Sequence, residues 1–199
     1  MRSLFRLALG LLALLVGARI WATLAGGRRR GLYYLSGARQ VRLLFWPLAG
    51  LVASLPFALA VIRRAADLPG LAFAGATALA AALLSLSIPA LVLHGRYRRH
   101  DAATAVLFDP GDGLLEIRRP DRPFVRVRTT DIRSALHVRP RASRAFWAAY
   151  ETLLLDFAPA TGQAPLMLTS GVLDLAPITT WLRASGVAVT EQRRWLAWV

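Results

Sequence analysis

Two long uncharged segments follow one another in the first half of the chain and restrict its fold more than any other feature. The first, LLFWPLAGLVASLPFALAVI, covers residues 43–62, and the second, LAFAGATALAAALLSLSIPALVL, covers residues 71–93. About 20 apolar residues in a helix cross the roughly 30 Å hydrocarbon core of a bilayer. The connection, residues 63–70, is too short for anything but a tight turn. We therefore predict a transmembrane helical hairpin over residues 43–95.

The arginines around this hairpin predict its orientation. The formal net charge is +14, and residues 1–95 hold ten arginines against one acid, Asp67. The arginines that flank the two spans on their outer sides are Arg28, Arg29, Arg30, Arg39 and Arg42 before the first, and Arg96, Arg98 and Arg99 after the second. Only Arg63 and Arg64 lie at the tip, where Asp67 offsets them in part. Cytoplasmic flanks of membrane helices are enriched in Arg and Lys, so both outer flanks are predicted to be cytoplasmic.

The N-terminal segment leaves several alternatives open. Twelve apolar residues, 7–18, lie between Arg6 and Arg19. A signal peptide cleaved before Gly26 would leave the next arginines outside, against the charge rule. An in-plane amphipathic helix would carry Arg6 and Arg19 on nearly opposite faces. A third span over residues 4–26 would include Arg19 at a cost of up to about 3 kcal/mol. The segment could also be surplus sequence upstream of the true start codon.

From Ala103 onward the pattern changes to short apolar runs of about six residues, separated by turn residues. Within 124–129, Val125 and Val127 alternate with arginines, which is typical of a half-buried strand. The strands predicted from such runs cover residues 104–109, 114–119, 124–129, 133–139, 150–157 and 165–170. A helix is predicted over 172–185, with the apolar face Leu173, Leu175, Ile178 and Leu182, Pro177 in its first turns and Gly186 just past its end. The tail after Gly186 is expected to add one short strand.

This organisation resembles the bacterial pleckstrin-homology-like (PH-like) proteins, in which a two-helix membrane hairpin precedes a cytoplasmic PH-like barrel. The resemblance covers residues 40–199 and rests on the paired spans, RYRRH, AVLFDPGDGLLEI, AFWAAYETLLLDF and RRWLAW. It implies a membrane α-helical hairpin plus an α+β soluble domain, a PH-like open antiparallel β-barrel capped by a C-terminal helix. The domains would be an N-terminal apolar and basic segment at 1–42, the hairpin at 43–95 and the cytoplasmic domain at 96–199. The implied location is the bacterial inner membrane, with several passes.

One departure from the family concerns the first strand-to-strand loop. Lipid-binding PH domains commonly collect Lys and Arg around that loop to hold an inositol phosphate. Here the loop is DPGDG, residues 109–113, with two acids and no base. We therefore do not expect a phosphoinositide pocket at this place.

Sequence patterns that carry catalysis or metal binding are missing. There is no cysteine, which excludes thiolate chemistry and Cys-based zinc sites. His94, His100 and His137 lack the spacing of paired metal ligands. Asp109 and Asp112 lie in a stretch that fails the calcium-loop pattern and is instead typical of a hairpin turn. We predict no enzyme, no cofactor and no metal.

Arginine and aromatic residues form the candidate binding surfaces. The candidate lipid- or partner-binding residues are Arg96, Tyr97, Arg98, Arg99, Arg126, Arg128, Arg193, Arg194, Trp195 and Trp198. Arg96 to Arg99 also serve as a topology signal, and Arg126 and Arg128 also fit a solvated sheet face. Trp147 and Tyr150 are expected to pack in the core, whereas Trp195 and Trp198 fit a core or an interface equally.

These features favour a membrane-anchored, non-catalytic binding or scaffolding module that presents a PH-like domain on the cytoplasmic face. Its partner would be another protein, or a peptide, docking on the sheet edge or beside the C-terminal helix. Self-association is the other possibility. The alternative is a membrane-surface sensor that binds anionic lipid through its Arg/Trp surfaces. No nucleic-acid partner is expected, since residues 96–199 carry fifteen arginines dispersed among ten acids.

Overall fold

The computed structural model describes residues 2–25, 31–64, 69–109, 111–112, 114–119 and 122–198. The predicted basic flank Arg28–Arg30, the hairpin tip at 65–68 and positions 110 and 113 of the DPGDG turn lie outside these residues. The helices are α1 Arg2–Ala25, α2 Gly37–Arg64, α3 Gly70–Asp101 and α4 Leu175–Ala184. The strands are β1 Leu32–Tyr34, β2 Ala105–Asp109, β3 Leu114–Arg119, β4 Arg122–Arg128, β5 Ile132–Pro140, β6 Thr152–Phe157, β7 Leu166–Thr169 and β8 Ala188–Arg194.

Three helices are long and apolar enough to cross a membrane. The candidate spans are Phe5–Leu24 in α1, Gly37–Arg63 in α2 and Gly70–Asp101 in α3. α2 and α3 form the predicted hairpin, and α1 packs along α2. Large apolar side chains are exposed on all three helices in the isolated chain, Leu14 of α1 and Leu71 of α3 among them. Such surfaces suit lipid rather than water.

Arg19, the residue that weighed against a third span, is accommodated by two aromatic rings of α2. Its guanidinium carbon lies 4.5 Å from the centre of the Phe45 ring and 5.5 Å from that of Trp46. A cation over aromatic faces gains about 0.5–2 kcal/mol, most where water is excluded. α1 is thus one continuous helix, with its charge turned toward α2.

The strands form two four-stranded sheets, in the orders β1-β2-β3-β4 and β7-β6-β5-β8. Every pairing from β1 to β7 is antiparallel, as predicted, but β8 pairs with β5 in parallel. The second sheet is therefore mixed. α4 connects β7 to β8 and returns the chain to the other edge of the sheet, where β8 runs alongside β5. The barrel is not closed.

β1 precedes the helical hairpin but belongs to the domain's sheet. Leu32 pairs with Leu107 and Tyr34 with Ala105, so the hairpin is inserted between two adjacent strands. The sequence places the whole domain at 96–199, whereas the first strand of the sheet comes from the segment 1–42. Three residues next to an arginine cluster carry too little periodicity to predict a strand.

A hydrophobic core, here called the barrel core, lies between the two sheets and α4. Nineteen buried residues form it, including Val106, Leu115, Leu153, Ile178 and Leu182. α4 begins at Leu175, three residues later than predicted, so Leu173 precedes the helix. The Asp174 carboxylate caps its start by accepting a 3.1 Å hydrogen bond from the Ala176 amide. It ends before Gly186, whose φ of 79° is favourable only for glycine.

Candidate functional site

A second buried cluster, here called the junction core, joins the domain to the helices. Its members are Leu43 of α2, Ala90, Leu93 and Tyr97 of α3, and Trp147 and Tyr150 of the β5–β6 loop. Trp147 and Tyr150 are 2% and 0% exposed, as expected for core residues. Since three elements of different origin share these side chains, the helices and the domain form one packed unit.

Most polar groups around the junction core have a hydrogen-bond partner, although Nε2 of His94 is buried without one among the described residues. The Tyr150 hydroxyl lies 3.0 Å from Nδ1 of His94 and donates a 3.4 Å hydrogen bond to the Leu43 carbonyl. The Tyr97 ring meets the Tyr150 ring edge-on, with 5.3 Å between centroids. Burial raises the pKa of Tyr150, so its hydroxyl stays protonated and able to donate.

The turn after β7 is held by both helices of the hairpin. Asp101, the last residue of α3, accepts a short hydrogen bond from the Thr169 hydroxyl. From α2, Arg39 Nε donates a 2.6 Å bond to the Ser170 carbonyl. A Cβ on Gly171 would collide with the Asp101 carboxylate, so a larger residue there would displace that side chain from its bond with Thr169. The domain therefore has a fixed orientation relative to the hairpin.

The C-terminal tail folds back onto α3. Trp147 Nε1 donates a 2.9 Å bond to the Trp195 carbonyl, and the Tyr97 hydroxyl donates a 2.8 Å bond to the Ala197 carbonyl. The Arg96 guanidinium lies over the Trp198 ring, 4.6 Å from its centre. These contacts bring together four of the predicted residues, although they lie about a hundred positions apart in the chain. Tyr97 is buried rather than at a free interface.

The rings of Trp195 and Trp198 remain 64% and 46% exposed beside this anchored backbone. Arg193 and Arg194, at the end of β8, are exposed as well, and Arg194 Nε donates a 3.0 Å bond to the Gln192 side chain. Arg98 and Arg99 are exposed at the end of α3. Arg96 and Trp198 are thus in contact, and the exposed arginines lie next to them along the chain, Arg98 and Arg99 in α3 and Arg193 and Arg194 before the tail.

Arg126 and Arg128 lie elsewhere, on the outer face of the first sheet. Arg126 forms an ion pair with Glu116 on the neighbouring strand, with 2.6 Å between Nη2 and the carboxylate. Arg128 is exposed opposite Leu114. The candidate set is therefore divided between two surfaces.

An ion-pair cluster escaped the sequence analysis. His137 Nε2 lies 2.9 Å from one carboxylate oxygen of Glu151, and Arg139 Nε donates a 3.0 Å bond to the other. Burial alone would raise the pKa of Glu151, but the hydrogen bond from His137 and the charge of Arg139 together hold it below its ordinary value. The register between β5 and the chain entering β6 brings these three side chains together, and no short sequence motif indicates the cluster.

β8 and α4 present the exposed edge of the second sheet. Six of the seven β8 residues are exposed, and its one strand neighbour among the described residues is β5. On α4 itself lies a shallow apolar depression of about 610 Å³, lined by Asp174, Ala176, Pro177, Thr180, Trp181 and Ala184. This surface fits a peptide or a strand better than a small molecule.

Within the described residues, no group of three His, Asp or Glu side chains gathers in a way that would hold a metal ion. In the comparisons with known proteins, a family model described as a PH domain matches residues 32–163. The match begins at β1 and continues through the hairpin into the strands after it. No curated protein and no solved structure matched the chain.

Proposed function

Because the chain belongs to the PH-domain family, we propose that it is a membrane-anchored, non-catalytic binding module. Its three apolar helices anchor it in the bacterial inner membrane, with the PH-like domain on the cytoplasmic face. Domains of this kind are typically non-catalytic. Its role is to hold a partner protein at the membrane surface.

One observation carries this proposal: the hairpin is inserted between β1 and β2 and shares the junction core with the domain. A flexible tether would let the domain search in every direction. Here Asp101 and Arg39 fix the turn after β7, so the binding surfaces keep one direction relative to the bilayer. Preorganisation of this kind lowers the entropy cost of binding.

The partner docks on the edge of β8 and the adjoining outer face of α4. The β8 edge offers backbone groups for strand addition, and small side chains on α4 leave room beside it. Arg183 and Glu191 form an ion pair that connects the two elements. A partner strand at β8 would therefore also contact α4.

In-cell photo-crosslinking tests this proposal. A photoreactive amino acid replaces Thr190 on β8, and a matched control carries it at Thr130, which is exposed on the turn between β4 and β5. A defined partner protein should crosslink at 190 and not at 130. Adding Glu191→Pro to a probe at Thr180 on α4 should abolish the product, because the Glu191 N–H faces away from β5 and proline removes that donor from the open edge. Equal labelling at 190 and 130 would reject β8 as the binding edge.

A second candidate function, anionic-lipid sensing, is supported by the Arg96–Trp198 contact and the exposed Arg193 and Arg194. It predicts that anionic lipid copurifies with the full chain and is lost as salt rises. The variant R193Q/R194Q should retain less of it, with R126Q/R128Q on the other surface as control. Strand addition at β8 should show no comparable salt dependence.

A further inference from the structure

The β5–β6 loop, residues 141–150, has an unusual composition for a surface loop. Ala145 to Ala149 is an uninterrupted apolar run that includes two aromatic residues. Connecting loops usually run over the wet surface and are polar. In addition, this loop satisfies part of its own backbone by consecutive turns, with Ala148 N–H bonded to the Ala145 carbonyl at 2.9 Å and Tyr150 N–H to the Trp147 carbonyl at 3.0 Å.

The loop reaches far along the helices from the cytoplasmic end. A Cβ on Gly50 of α2 would collide with the Phe146 ring and would lie 2.5 Å from Ser87 Oγ of α3. Gly50, Ser87 and Phe146 therefore lie at one level. Phe146 also stacks on Trp46, with 6.5 Å between ring centroids and 19° between planes.

The lengths of the spans place this level inside the membrane. From Gly50 to Ile62, the last residue of the uncharged run in α2, the helix rises about 18 Å. From Ser87 to Leu71, the first residue of the uncharged run in α3, it rises about 24 Å. Both distances are shorter than the roughly 30 Å hydrocarbon core. If the hairpin spans the membrane, the cytoplasmic boundary of the hydrocarbon core must therefore lie at the level of Phe146 or on the cytoplasmic side of it.

From these lengths we infer that the β5–β6 loop is embedded in the cytoplasmic leaflet, with Phe146 among the acyl chains. The inference rests on the proposed membrane anchorage and goes beyond it, since it makes the domain itself a bilayer-contacting element. Turn hydrogen bonds from the Ala145, Ala148 and Tyr150 amides satisfy part of the loop backbone, which lowers the cost of apolar surroundings. Arg141 and Arg144 are exposed on the loop and reach back to lipid phosphates, while Trp46 occupies the interfacial zone.

Single-cysteine labelling of the full chain tests this arrangement, because the sequence contains no cysteine. A fluorophore is attached at Ser143→Cys or Ala149→Cys, two exposed loop positions on either side of Phe146. Gln163→Cys, in the exposed β6–β7 connection at the other end of β6, is the matched control. Leu79→Cys, exposed in the middle of the α3 span, reports the anchorage separately. Each variant is reconstituted in vesicles of neutral and anionic phospholipid.

Two quenchers distinguish a label in the bilayer from a label in water. Phospholipid brominated near the headgroup end of its chains quenches the first, and iodide in the aqueous phase quenches the second. At position 143 or 149 the label should lose fluorescence to the brominated lipid and be shielded from iodide, and at position 163 the reverse should hold. If both loop labels behave like the label at 163 while brominated lipid quenches position 79, the inference is overturned and the anchorage stands. Bromine can be placed at several depths along the acyl chains. If none of these lipids quenches the label at position 79, both the proposed membrane anchorage and the inferred position of the loop are wrong.

Discussion

The barrel core and the junction core are built on different principles. The barrel core is mainly aliphatic, and its residues alternate along the strands or repeat on one face of α4. The junction core is rich in aromatic rings, and its hydroxyl, imidazole and indole groups form hydrogen bonds to each other or to backbone carbonyls. The first holds the domain together, whereas the second sets its direction relative to the helices.

This difference has an energetic side. Aliphatic burial is non-directional, so the barrel core tolerates small shifts in geometry. A hydrogen bond between buried groups depends on distance and angle, and an unpaired buried group costs about 1–3 kcal/mol. The junction core should therefore resist reorientation more strongly than its modest size suggests.

The largest effect is expected for Leu182→Ala in the barrel core. Leu182 is 0% exposed, and truncating such a side chain costs about 2–5 kcal/mol in the free energy of unfolding. The matched change in the junction core is Leu93→Ala, also 0% exposed. Thermal unfolding of the full chain in detergent should show a lower Tm for L182A. Limited proteolysis of L93A should cut the β5–β6 loop while the sheets stay protected. Identical losses of Tm in one transition would mean that the two cores unfold as a single unit.

A smaller effect is expected for Gly171→Ala, which brings a methyl group against the Asp101 carboxylate. Overpacking of this kind costs about 1–3 kcal/mol. Gly75→Ala is the control, because nothing lies within 4 Å of a Cβ at this helical position. Chemical denaturation of both variants in the same detergent gives the comparison. If G171A is as stable as G75A, the turn after β7 does not need the contact with α3.

Tyr150→Phe tests the polar side of the junction core alone. It removes the hydroxyl between His94 and the Leu43 carbonyl and keeps the ring, at a cost of about 1 kcal/mol. Combined with Leu182→Ala, its effect should add, since independent sites are additive within about 0.5 kcal/mol. If the effect of the double variant deviates from the sum of the two single effects by well above that value, the barrel core and the junction core are energetically coupled.

Acid should weaken the strands next to the junction through Glu151. Because its folded pKa lies below the ordinary value, its pairing with His137 and Arg139 contributes stability above a pH of about 4.5 and loses it as the pH falls through the folded pKa. Denaturation at several pH values should show this decline. Glu151→Gln should reduce the slope, and an unchanged slope would place the acid sensitivity elsewhere.

The smallest effect is expected for Arg126→Gln, whose side chain lies on the outer face of β4, opposite the barrel core. Its ion pair with Glu116 is largely solvated on the arginine side, so its removal should cost below about 1 kcal/mol. The Tm should change little, and the change should diminish further in high salt. A large, salt-independent loss would show that this pair is structural.

The two cores also differ in how far the sequence predicts them. The apolar faces of α4 and of strands such as β4 follow from spacing alone, because Ile178, Leu182, Val125 and Val127 occupy positions that periodicity defines. The junction core cannot be predicted in this way. His94, Tyr150 and Leu43 meet only after the chain has folded, and their separation in sequence carries no period.

The sequence indicated which residues are candidates for the site, but it did not indicate which of them lie together in the fold. Arg96 and Trp198 are conspicuous near charged and aromatic runs, yet their contact depends on β8 running parallel to β5, which no local signal indicates. Likewise, β1 is too short to show alternation. The alternation along 124–129 already indicated a solvated sheet face for Arg126 and Arg128, and the strand register places them on that surface.

The position of β1 has a consequence for how the chain is made. Tyr34 leaves the ribosome before α2 and α3, but its partner Ala105 follows both. The first sheet therefore cannot be completed until the hairpin has been synthesised and has doubled back. The packing of α2 against α3 is therefore a step in the folding of the domain itself, and the first sheet is completed late, after both helices have been made.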